Sequence, residues 1–251
     1  MPFAVIALLI LLFFITSAIG VVTGGNSLIT VPVMFQFGID PKVAIATNMF
    51  GLTFMSIGAS IPFLGEKSIN RKRLVPLIPL TLIGSAIGAF LVGYVKSETI
   101  PVIVSISMIC VILFTFMKRD AGVDKAGNVS TFSNILTFIL TFFLGIYGGL
   151  YSGGYVTILT AVYVAFFGMN FTESIAATKF INVFSSSIAT IIFAWQGLID
   201  YRLGIILAVT MFIGAYFGAK VVVKIDDRWL KRIFLFAAAS LALKTIWDFT
   251  T

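Results

Sequence analysis

Residues 148–179 read GGLYSGGYVTILTAVYVAFFGMNFTESIAATK, and this stretch has a counterpart in the first half of the chain. Thr23-Gly24-Gly25 matches Ser152-Gly153-Gly154, and Phe37-Gly38 matches Phe167-Gly168. Ile45-Ala46-Thr47-Asn48 matches Ile175-Ala176-Ala177-Thr178-Lys179 with one residue inserted. The correspondence continues through Ile69-Asn70 with Ile199-Asp200, and through Gly84, Gly88 and Ala89 with Gly214, Gly218 and Ala219. Weak internal symmetry, with an apolar segment broken by glycine at matching places in two halves, is the pattern of a transporter whose ligand sits at the breaks.

Composition fixes the setting. Of 251 residues, 59% are hydrophobic and 11% charged, against about 25% charged in an ordinary soluble domain. Apolar runs of about 18 or more residues recur, each able to cross a hydrocarbon core of about 30 Å. The chain reads as a multi-pass membrane protein. Its net charge of +7 resides in short loops, so anionic lipid rather than nucleic acid is its expected counterpart. The N-terminal run lacks the basic flank of a signal peptide and is too long for one, so it is expected to be a retained membrane segment. The single cysteine, Cys110, and the absence of histidine leave no intramolecular disulfide and no Cys/His metal centre. No metal or other cofactor is expected.

Taken in order, the apolar segments are Phe3–Gly20, a break at Thr23-Gly24-Gly25, and the short Ser27–Phe37. Val43–Leu64, Leu74–Val95 and Thr99–Met117 follow. After the polar stretch Lys118–Ser133 come Asn134–Tyr151, a break at Ser152-Gly153-Gly154, and Tyr155–Phe167. Ser174–Trp195, Leu203–Val223 and Trp229–Phe249 complete the chain. If each broken segment crossed once, lysines and arginines would divide nine against seven between the two sides. If each doubles back, they divide twelve against four, which satisfies the positive-inside rule. The expected fold is therefore an all-α polytopic membrane protein of two inverted repeats. Each repeat has a Gly-broken hairpin or re-entrant segment plus three full transmembrane helices. Residues 1–120 form the N-terminal repeat, 121–133 a cytoplasmic linker and 134–251 the C-terminal repeat, with both termini outside.

The breaks are the candidate site. Adjacent glycines inside a membrane helix free backbone polar groups that lipid cannot satisfy, so the break must be buried in protein or line a wet cavity. The helix that restarts presents N–H groups and a positive dipole end, which suits an anion. Lys179 lies inside an apolar span, where a lysine costs about 2.5–3.5 kcal/mol to insert and faces a cavity, a partner or the interface. Its repeat partner Asn48 is a neutral donor. The expected substrate-binding set is Thr23, Gly24, Gly25, Thr47, Asn48, Ser152, Gly153, Gly154, Thr178, Lys179 and Asn182. Ser185–Ser187 and the Gly84/Gly88 and Gly214/Gly218 pairs are better read as helix packing. An enzyme is disfavoured: no histidine exists to activate Ser152, and no aspartate pair falls inside the spans.

The two GG breaks, the Ile-Ala-Thr-Asn and Ile-Ala-Ala-Thr-Lys segments, and the IGSAIGA and IGAYFGA stretches together resemble the sulfite exporter TauE/SafE family over nearly the whole chain. That resemblance implies an inner-membrane transporter that exports sulfite or a small organosulfonate. Alternatives are an anion channel or a permease for a different small anion. A membrane potential negative inside would drive an anion outward with about 2.3 kcal/mol per charge per 100 mV, so potential-driven uniport is favoured over proton antiport through Lys179. The partners expected are the anionic substrate and the bilayer, with no nucleic acid; a homodimer is one assembly the sequence allows.

Overall fold

A computed structural model describes residues 3–64, 71–100 and 130–226, together with 102, 103, 106, 228–230 and 232. The helices are α1 Phe3–Thr23, α2 Ser27–Gln36, α3 Pro41–Leu64, α4 Arg71–Leu74, α5 Leu77–Tyr94, α6 Thr131–Leu150, α7 Tyr155–Phe166, α8 Phe171–Trp195 and α9 Tyr201–Val222. The spans read at Thr99–Met117 and Trp229–Phe249 lie almost wholly outside the described residues, as does most of the linker.

Among the described residues every element is helical and six helices, α1, α3, α5, α6, α8 and α9, are long and apolar enough to cross a membrane, so the protein is multi-pass. At a rise of about 1.5 Å per residue each matches the hydrocarbon thickness. Helices α2 and α7, with 10 and 12 residues, reach about half as far. Large apolar side chains such as Leu11, Ile83, Phe143, Ile191 and Ile205 remain exposed on the long helices and supply a lipid-facing surface.

Several helices begin before their apolar runs do. Helix α6 starts at Thr131 rather than Asn134, because Ser130 accepts a hydrogen bond from the Ser133 N–H. The α8 start moves from Ser174 to Phe171 through a capping box between Asn170 and Glu173. The Asp200 carboxylate accepts from the N–H groups of Arg202 and Leu203 and starts α9 at Tyr201 instead of Leu203. Hydropathy marks the stretch that wants lipid, whereas a cap satisfies the free N–H groups one turn further out.

Small residues set how the helices meet. A Cβ added at Gly84 would lie 2.5 Å from the Phe142 carbonyl oxygen, and one at Gly88 would lie 1.9 Å from that of Ile146, so α5 and α6 touch backbone to backbone. The same holds for α9 on α1, where a Cβ at Gly214 would lie 2.5 Å from the Phe14 carbonyl oxygen and one at Gly218 2.3 Å from that of Ala18. In both pairs the residue numbers rise together, so the helices run in the same direction.

Helix α3 also runs with α9. Thr47 meets Asp200 near both starts, and Gly51 lies against Leu207 and Met211 further along. Helix α8 runs with α5, from Ser185 on Ser85 to Gln196 on the Phe90 carbonyl. Helices α3 and α8 are antiparallel, because Ser56 meets Asn182 while Thr53 meets Thr190.

Candidate functional site

The break after α1 and the break after α6 meet inside the bundle. Gly24 has φ +68° and lies so close to α7 that a Cβ there would sit 2.6 Å from the Thr157 nitrogen. Only glycine adopts that conformation without strain and permits that approach. Gly154, with φ +77°, turns the chain into α7 in the same left-handed conformation. Across the contact, Thr157 Oγ1 donates to the Thr23 carbonyl at 2.7 Å, and Tyr151 Oη donates to the Ser27 carbonyl at 3.0 Å. The Ser27 and Ser152 hydroxyls lie 2.8 Å apart. The Thr23 carbonyl, freed where α1 stops, is thus satisfied by the other half of the chain.

Between the breaks and the middles of α3 and α8 lies a cavity of about 10 Å³, room for about one water-sized sphere. Lys179 lines it and is only 2% exposed. Its Nζ donates to the Gly20 carbonyl at 2.8 Å, in the last turn of α1. That turn is the negative end of a helix dipole and compensates part of the buried charge. An ammonium has three N–H donors, so two remain beyond this bond. Asn182, one turn along α8, also lines the cavity and donates through Nδ2 to Ser56 Oγ at 2.7 Å.

Of the residues expected from sequence, Gly24, Ser152, Lys179 and Asn182 come together at this cavity. Thr23 sits beside it, its Oγ1 accepting from the Gly25 N–H at 3.3 Å. Gly153 contributes a carbonyl that accepts the Tyr147 hydroxyl.

Asn48, Thr47 and Thr178 have other partners. Asn48 Nδ2 donates to Ser27 Oγ at 2.8 Å while its Oδ1 accepts from Thr30 at 2.8 Å, which ties α2 to α3. Thr47 accepts the Asp200 N–H at 3.0 Å at the start of α9. Thr178 donates to the Ile175 carbonyl and lies 3.3 Å from Thr160 on α7. Asn48 therefore acts on the cavity through Ser27.

Sequence reasoning passed over Gly20, Asn26, Ser27 and Ser56, all of which line the cavity. Asn26 and Ser27 follow the glycine pair directly, so their place at the restart of a broken helix was the signal. Ser56 had none, being a single hydroxyl in a long apolar run. The serines of α8 behave as packing residues: Ser185 lies 2.6 Å from Ser85, and Ser186 donates to the Asn182 carbonyl. Among the described residues no group of histidine, cysteine or acidic residues could hold a metal ion.

The fold and the site define a multi-pass helical membrane protein with a buried polar centre built where two helices break. The chain matches the sulfite exporter TauE/SafE family over residues 9–245 and belongs to that family. It is a membrane transporter, not an enzyme. It is 26% identical to the probable membrane transporter protein ORF9 of Sinorhizobium sp. over 249 residues, covering 99% of this chain and 95% of that one. It is also 26% identical to the probable membrane transporter protein YfcA of Escherichia coli K12, covering 96% and 90% of the two chains. A probable membrane transporter protein of Haemophilus influenzae is 23% identical, covering 97% and 95%. No solved structure matches the chain.

Proposed function

We propose that the protein exports sulfite or a small organosulfonate across the cytoplasmic membrane, holding the anion in the cavity between the two breaks. The observation that carries this reading is Lys179: a buried basic side chain at membrane depth, in a cavity whose lining includes no carboxylate. A lysine in that setting marks a substrate or ion path. The sulfur chemistry of the substrate comes from the family.

The same reading makes the halves inverted repeats with re-entrant first segments, and the helix directions support it. Since α1 and α3 both run with α9, the short α2 that joins them runs back the way α1 came. The contacts also come in matched pairs: α1 on α9 answers α6 on α5, α3 with α9 answers α8 with α5, and the central pair is antiparallel. Two halves related by an axis in the membrane plane give that pattern. Since 10 Å³ is too small for a four-atom oxyanion, loading the site requires the breaks to move apart, as alternating access demands.

Flux of sulfite, sulfate, thiosulfate and sulfoacetate into liposomes holding the purified protein tests the proposal. Saturable, potential-dependent movement of sulfite or a sulfonate is expected. Flux that never saturates would replace the carrier with a channel, and transport confined to other anions would overturn the substrate.

A further inference from the structure

We propose that Asn26, at the restart of the first broken helix, is a substrate-contacting residue, and that with Lys179 it makes the site selective for singly charged oxyanions. The inference rests on the anion-export reading and narrows its substrate class. Asn26 is 3% exposed and lines the same cavity as Lys179. Both its amide oxygen and its amide nitrogen are buried with no hydrogen-bond partner among the described residues. The neighbouring polar side chains differ: Ser27, Asn48, Ser56, Ser152 and Asn182 all bond one another or the backbone. A buried amide left without partners is destabilising unless something else supplies them. Its position identifies that partner as the molecule that occupies the cavity.

The counterpart break makes the point sharper. Gly24-Gly25-Asn26 aligns with Gly153-Gly154-Tyr155. The Tyr155 hydroxyl turns away to Thr81, 3.1 Å distant, and so is already satisfied. The two breaks therefore offer unequal chemistry. The first supplies a free neutral amide, and the second half supplies the ammonium of Lys179. One cation and no carboxylate on the lining balance a single negative charge. A second charge on the ligand would be buried facing only neutral dipoles, which is costly in a low-dielectric site.

The test uses the full-length protein in detergent at a pH acid enough for sulfite to be mainly singly charged hydrogensulfite, with sulfite, methanesulfonate and sulfate as probes and Asn26→Leu and Asn26→Asp as variants of similar volume. The parent should bind methanesulfonate or sulfite at least tenfold more tightly than sulfate. Asn26→Leu should weaken that binding at least tenfold while its melting temperature stays level or rises, because replacing an unpaired buried amide with an apolar group of like shape is neutral or stabilising. Asn26→Asp should lose binding of every probe, its charge cancelling that of Lys179.

A packing role predicts the reverse for Asn26→Leu, a lower melting temperature with affinity retained, and would overturn the assignment. A parent that binds sulfite while both variants bind it equally well overturns the Asn26 role alone. A parent that prefers sulfate overturns the charge limit. A parent that binds none of the probes overturns the sulfur-anion reading and this proposal with it.

Discussion

At position 179 a single ammonium is held by one carbonyl, that of Gly20, in a cavity the size of a water molecule. Replacing it with methionine removes an insertion cost of about 2.5–3.5 kcal/mol along with the cation. Gly20 keeps one partner, the Gly24 N–H at 3.0 Å. Lys179→Met is therefore expected to insert and melt like the parent while binding sulfite about 10- to 150-fold more weakly, the worth of a charge-assisted hydrogen bond of about 1.5–3 kcal/mol. Lys179→Arg should fall between, since a planar fork does not fit a space shaped for a compact ammonium. Isothermal titration of the three proteins decides this, and equal affinities would remove the lysine from the binding site.

Helix existence was legible because each long span is a near-continuous apolar run, and the breaks were legible because glycine pairs interrupt two of them. The true starts of α6, α8 and α9 were not, since hydropathy is blind to the caps at Ser130, Asn170 and Asp200. The site divided the same way. Lys179 and Asn182 stand out as polar residues on one face of an apolar helix. Sequence alone could not tell that Asn48 spends both ends of its amide on Ser27 and Thr30, nor that Ser56 faces Asn182. Those facts depend on partners distant in sequence.

The helix interfaces carry their own prediction. Gly88→Ala and Gly218→Ala each force a Cβ onto a carbonyl of the facing helix and should each cost at least about 1–3 kcal/mol, as overpacking does. Melting in detergent should fall for both. If only one falls, the two interfaces are not equivalent.

For the whole molecule the open variable is orientation. On the positive-inside rule, twelve basic residues against four predict a cytoplasmic linker. In a Cys110→Ser background, a cysteine at Asn128 should resist an impermeant thiol reagent in intact cells, whereas one at Lys96 should react. Labelling at Asn128 and protection at Lys96 would invert the topology.

The exchange of helices between halves bears on how the protein is made. Helix α1 packs its length against α9, and α5 packs its glycine face against α6. When the ribosome has delivered only the first half, α1 and α5 both lie in the bilayer without the partners their small residues are shaped for. The first half then keeps the α2–α3 tie through Asn48 but must wait in lipid for the second, because the packing of α1 and α5 is long-range and correspondingly slow to form. Two separately translated halves contain between them every surface needed to finish each other, so a chain cut in the linker should still assemble, whereas either half made alone leaves its glycine-packed helices without partners.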